Sequence, residues 1–125
     1  MTKRRIKIYF DGGCRPNPGK METAVVTGGA AVVVRDAGIG SSQDAEWLAL
    51  IAALRMARDL GLANFILLGD AAGVVAQANG TVRARGEAAE HLAAFRALAG
   101  DGPMPPVRHI KRTQNLAGIA LARGR

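Results

Sequence analysis

Residues 44 to 60 carry the one long amphipathic period in this chain, and the ordered segments before them read as strands. Trp47, Leu50, Ile51, Leu54 and Ala57 fall on one helical face, Ser42 is placed to cap the start, and Gly61 follows the end. A helix with one apolar face must bury it against another layer. Upstream, Arg5 to Phe10 alternates with β-branched and aromatic residues, and Thr23–Thr27 and Ala30–Arg35 are two further β-rich runs. Gly28-Gly29 between them suits a tight hairpin with positive φ. Asp11 to Lys20 holds three glycines and two prolines and is expected to be a loop, as is Ala37 to Ser42. Downstream, Asn64–Leu68 reads as a buried strand ending at Gly69-Asp70, and Ala71–Ala78 as a short helix stopped by Asn79-Gly80. Glu87–Ala99 is a helix with Ala88, Leu92, Phe95 and Ala99 as its stripe. Gly100–Pro106 is a linker, Val107–Lys111 a last strand and Leu116–Arg123 a last helix. Three strands, helix, strand, two helices, strand, helix is the order of an α/β fold. It predicts a five-stranded mixed sheet flanked by helices, one domain over residues 1–125.

Composition narrows what such a domain meets. Apolar residues are 49% of the chain and charged residues 22%, which argues against disorder. The longest uncharged run, Thr23 to Val34, is 12 residues and is interrupted by Gly28-Gly29, against the ~20 needed to cross a bilayer. Met1 to Arg5 is basic, but Ile6 to Phe10 is charged and too short for a leader's apolar stretch. Cys14 is the single cysteine, so neither a disulfide framework nor a cysteine zinc site is available. A cytoplasmic, monomeric protein without membrane contact is expected. Lys and Arg total 17 against 10 acids, a formal charge of +7, which favours a polyanion and nucleic acid first.

With ten acids, their placement is informative. Asp11 follows the first strand, Asp70 follows the buried strand, and Glu46 lies near the start of the long helix. Strand ends and helix starts are where ligand groups converge in such folds. Three carboxylates brought together would need a cation, and hard oxygen donors suit Mg2+ or Mn2+. The same residues also have ordinary structural uses: Asp11 opening a turn, Glu46 complementing a helix dipole, Asp70 capping the next helix. A phosphate-binding P-loop is excluded. Five residues separate Gly13 from Gly19, Met21 follows Lys20, and Pro16 and Pro18 remove amide donors.

Asp11-Gly12-Gly13-Cys14-Arg15-Pro16-Asn17-Pro18-Gly19 resembles the first-strand motif of type 1 ribonuclease H. Ala45 to Leu54 (AEWLALIAAL) is similar to the family's central helix, and Ile66-Leu67-Leu68-Gly69-Asp70 to the strand carrying its third acid. Arg112-Thr113-Gln114-Asn115 and Leu121-Ala122-Arg123 resemble the C-terminal motif of its compact members. The match spans nearly the whole chain in order. It implies a ribonuclease H-like sheet of three antiparallel strands followed by parallel ones. It also implies endonucleolytic hydrolysis of the RNA strand of RNA–DNA hybrids with two Mg2+ or Mn2+ ions. By motif position Asp11 would bridge both ions, and Glu46 and Asp70 would hold one of them. Asn17, Ser42 and Gln43 would meet the hybrid's minor groove, and Arg112 would bind substrate.

The chain also departs from that family. The family's fourth acid, two residues before Leu121-Ala122, is here Ile119 behind Gly118. Ile cannot bind a metal, so a non-catalytic or weakly active nucleic-acid-binding domain is the alternative function. Asn115 lies four residues earlier on the same helical face and its amide oxygen would be the substitute ligand. As a structural residue it would instead be the N-cap of the last helix. Ala71 stands where a Ser usually follows the third acid, and Val82 where relatives carry an aromatic residue that grips the DNA strand. Nine of the 17 basic residues sit at the two ends: Lys3, Arg4, Arg5, Lys7, Arg108, Lys111, Arg112, Arg123 and Arg125. They would contact phosphates if the first and last strands share a sheet, with Arg83 and Arg85 as further contacts. His109 and Cys14 are expected to be structural.

Overall fold

The computed structural model describes residues 4–123; Lys3 and Arg125 of the terminal basic clusters lie outside the described residues. The chain runs through β1 (Ile6–Cys14), β2 (Gly19–Thr27), β3 (Ala30–Val34) and a two-residue β4 (Ile39–Gly40) into α1 (Ser42–Asp59). Then follow β5 (Phe65–Gly69), α2 (Ala72–Ala78), α3 (Glu87–Ala99), β6 (Val107–His109), a 3-10 turn (Arg112–Gln114) and α4 (Leu116–Ala122). β1, β2 and β3 form an antiparallel meander turned by Gly28 and Gly29, whose φ values of 56° and 80° suit a two-residue hairpin. β5 lies parallel to β1 on its other side, and β6 parallel to β5, giving the order β3-β2-β1-β5-β6. The antiparallel-then-parallel sheet is therefore as expected, with β4 paired to β2 as a sixth, very short strand.

Side-chain alternation sorts the two faces of the sheet. Ile8, Phe10, Val25, Phe65 and Leu67 pack under α1, α2 and α3 around Trp47 and Phe95, forming the main core. The intervening residues Ala24 and Val26, with Tyr9 and Val33 at the margin, pack against Ala117 and Leu121 of α4 on the opposite face. The α1 stripe is wider than its large residues suggested. Ala45, Ala49, Ala53 and Ala57 are buried beside Trp47, Leu50 and Leu54, while Ile51 is only half-buried. Small residues on this face let α1 approach the sheet closely.

β6 stops at His109, short of the expected Lys111, and β4 and the start of α1 fall within the expected 37–42 loop; two further differences bear on the site. Gly12, Gly13 and Cys14 continue β1, paired with Thr23, Glu22 and Met21, so the loop shrinks to residues 15–18. Cross-strand pairing outweighs the weak local strand preference of glycine. The cap of α1 is Ser41, not Ser42. Its hydroxyl accepts from the Asp44 amide at 3.0 Å and its own amide donates to the Asp44 carboxylate at 3.1 Å. That reciprocal pair needs an acid three residues on, which Ser41 has.

Candidate active site

β1 and β5 are parallel neighbours, with Tyr9 level with Leu68. Two residues further along, Asp11 and Asp70 arrive side by side at the carboxyl ends of the strands. Glu46 joins them from α1. The helix crosses β1 so closely that a Cβ on Gly12 would lie 2.2 Å from the Ala45 carbonyl oxygen. Only glycine fits there, and its amide donates to Glu46 Oε1 at 2.6 Å. Gly69 has a matching role: a Cβ there would lie 2.4 Å from Phe10 Cζ. Without it the Phe10 ring and the approach to Asp70 could not share one level of the sheet.

The result is that Asp11, Glu46 and Asp70 each offer a carboxylate oxygen, all within 4.8 Å of one another. They line an open cleft of about 760 Å3 together with Ser42, Gln43 and Arg112. Burial, and then the charge of Asp11, pushes the Glu46 carboxyl up to about 9; the Gly12 amide pulls the other way. Burial and the charge of Asp70 raise Asp11 as well, opposed by its hydrogen bond with Glu46. The only ion pair at the centre among the described residues is Arg112 Nε to Asp70 Oδ2, at 3.6 Å. The Arg112 side chain is 92% exposed, so solvent screens this contact. A cluster of crowded carboxylates with so little compensating charge fits one or more hard divalent cations.

The remaining expected site residues divide. Asn17 lies outside the cleft lining but accepts from the Ser42 amide at 3.1 Å, tying the 15–18 loop to the start of α1. Asn115 is fully buried and caps α4: its Oδ1 accepts from the Ala117 amide at 3.1 Å, and its Nδ2 donates to the Phe10 carbonyl at 3.0 Å. Both ends of the amide are thus occupied, and a ligand role would require breaking the cap. Ile119 lines the cleft and is 46% exposed, so no carboxylate stands on that wall. Gly118 beside it leaves room for Asp11, whose Oδ2 would be 3.4 Å from a Cβ there.

Burial works to raise the nearby Asp44 carboxyl, but Ser41 and His91 hydrogen bonds hold it down at about 2. The 2.9 Å contact to His91 fastens α3 to the start of α1. Cys14 is buried in a small cluster with Met21 and Ala45. His109 ends β6 and is exposed, packed into neither the core nor the cleft. Lys7 and Arg108 are exposed on strands of one sheet, where register through Ile66 and Leu68 gives them the same face. Arg83 lines a separate groove with Gln77, Val82 and Arg96.

The family model described as reverse transcriptase-like matches residues 11–124, from the first of these acids through the last helix. The chain belongs to the type 1 ribonuclease H family. A curated relative, ribonuclease HI of Halobacterium salinarum, is 32% identical over 94% of this chain. The chain spans 62% of the length of that relative. The crystal structure of RNase H1 from the same archaeon superposes with a TM-score of 0.83 at 30% identity, covering 94% of both chains. LC11-RNase H1, solved in complex with an RNA/DNA hybrid, gives 0.83 at 26% identity, covering 94% of this chain and 93% of that one. In this ribonuclease H fold Asp11, Glu46 and Asp70 thus converge on one centre. Sequence reasoning missed the Gly12 amide as a partner of Glu46, for which the close approach of α1 was the only signal. It also missed Arg15 in the cleft wall.

Proposed function

We propose that the chain hydrolyses the RNA strand of RNA–DNA hybrids endonucleolytically. The observation that carries this reading is the convergence of Asp11, Glu46 and Asp70 within 4.8 Å in an open cleft of a ribonuclease H fold. The three carboxylates would hold Mg2+ or Mn2+, with two ions expected when substrate is present. Bound there, the ions would supply Lewis-acid stabilisation of charge developing at the reacting phosphate. The Gly12 amide orients Glu46, and the β1–β5 register sets Asp11 beside Asp70. Ser42 and Gln43 present a hydroxyl and an amide at the cleft lip, groups suited to ribose 2'-hydroxyls in a wide minor groove. Arg112, extended into solvent, would meet a backbone phosphate.

A second reading has its own observation: Ile119 leaves one cleft wall without a carboxylate. On that reading the chain binds hybrids and turns them over poorly or not at all. One experiment decides between them, cleavage of an end-labelled hybrid in Mg2+ and in Mn2+. The enzyme reading expects internal cuts in the RNA strand, reduced by about a hundredfold or more in Asp70→Asn and Glu46→Gln. It is overturned by a wild type that binds but never cuts. Ile119→Asp then identifies the defect, since a gain of cleavage would mean that the missing acid limits the native site.

A further inference from the structure

The face of the sheet that carries Asp11 is only partly covered. α4 packs on Tyr9, Ala24, Val26 and Val33, towards one end of the meander. Beyond its cover, the same alternation along β2 brings Lys20 and Glu22 to that face, and β3 continues into Arg35. Arg15, Lys20, Glu22 and Arg35 line a second depression of about 240 Å3. Arg15 also lines the acidic cleft, so the two hollows share a wall. The surface therefore runs from the carboxylates at β1 to cations over β2 and β3, across two strand spacings, roughly 10 Å.

The cations in this depression are not equivalent. Arg35 is committed to the protein: its guanidinium donates to the Leu121 carbonyl at 2.8 Å and to the Arg123 carbonyl at 2.5 Å. It also meets Glu22 at 3.4 Å. It thereby holds the carboxyl end of α4 and pairs with the one carboxylate that lines this depression. Arg15 and Lys20 are exposed, and among the described residues neither forms an ion pair. Two unpaired cations beside a cleft whose own centre is anionic provide what that centre lacks, attraction for a polyanion's backbone.

We infer that Arg15 and Lys20 form a phosphate subsite that grips the strand lying in the acidic cleft, beyond its reacting phosphate. The inference rests on the proposed nuclease reading for the identity of that strand. The partner chemistry is a nucleic-acid phosphodiester, contacted through charge and without base readout. The subsite lies on the side of the cleft where Asn17 ties the 15–18 loop to Ser42, and Arg35 links it to the Arg123 backbone.

The test is hybrid binding in EDTA, read by fluorescence anisotropy across a salt series, with cleavage assayed separately in Mg2+. Arg15→Ala and Lys20→Glu should each weaken binding several-fold and flatten the slope of log K against log salt by about one. For one lost contact, the wild-type advantage should shrink roughly 3.5-fold between 50 and 200 mM salt. Arg55→Ala, an exposed cation on α1, should match wild type. A neutral methylphosphonate walked along the RNA strand should cost wild type affinity at one or two linkages, and cost Lys20→Ala nothing there. The subsite is overturned if Arg15→Ala and Lys20→Glu bind as wild type does, or if Arg55→Ala loses as much as they do. Cleavage with unaltered Lys20→Glu binding overturns the subsite alone. Absent cleavage with weakened Lys20→Glu binding overturns the nuclease reading alone. A wild type that does not bind overturns both.

Discussion

At the scale of single residues, the site depends on a position that has no side chain. Gly12 lies where the Ala45 carbonyl would be 2.2 Å from a methyl group, and its amide holds Glu46. The contact is backbone against backbone, so no rotamer change relieves it. Gly12→Ala should therefore cost about 3 kcal/mol, at the upper end of ordinary overpacking. The check is a shift of the urea midpoint at constant m value; an unmoved midpoint would show that α1 can retreat freely. In the sequence, Gly12 was visible only as part of a glycine- and proline-rich stretch. A close approach between residues 12 and 45 leaves no trace in local spacing.

Among the elements that shape the cleft, α4 has only seven residues, the same length as α2. Helices this short owe little to propagation and are held by caps and tertiary contacts. At its start Asn115 caps the Ala117 amide and ties β1 through the Phe10 carbonyl. At its end Arg35 takes the Leu121 and Arg123 carbonyls, where a cation also complements the helix dipole. Asn115→Ala should cost about 2–3 kcal/mol, combining a lost cap with an unsatisfied buried carbonyl. Equilibrium unfolding measures it. If instead stability holds while the Mg2+ dependence of cleavage shifts, Asn115 serves as a ligand and the cap is secondary. The cap was legible in the sequence, since Asn precedes an apolar helical run. The Arg35 clamp was not, because its partner carbonyls lie 86 and 88 residues away.

For the molecule as a whole, the crowded carboxylates couple stability to pH and to divalent cations. Glu46 has an ordinary value of 4.5 and a folded one of about 9. The folded protein thus keeps a proton that the unfolded chain releases, and unfolding becomes relatively easier as pH rises through that window. Without metal, the wild-type contribution is full below about 4.5 and lost as pH climbs through about 9. Thermal melts in EDTA should show Glu46→Gln gaining on wild type between pH 5 and pH 8. Adding Mg2+ at pH 8 should raise the wild-type Tm, since an ion that binds only the folded state stabilises it. Glu46→Gln should gain less. Parallel melts for the two proteins in all three conditions would mean that the acids do not interact as the structure places them.

The sequence by itself determined the order of the elements, the amphipathic faces, the hairpin glycines and the position of three acids at element ends. These are local properties, set by periodicity, turn chemistry and capping within about one helical turn or strand. Its motifs also carried the family resemblance that brought those acids to one centre. The tertiary structure decided what depends on pairing between distant segments. Register between β1 and β5 makes Asp11 and Asp70 neighbours, and the α1 crossing makes the Gly12 amide a hydrogen-bond donor to Glu46. The partial cover of α4 leaves Arg15 and Lys20 open beside the acids. None of these follows from local spacing, because a strand's period states which residues share a face and leaves open which strand lies beside it.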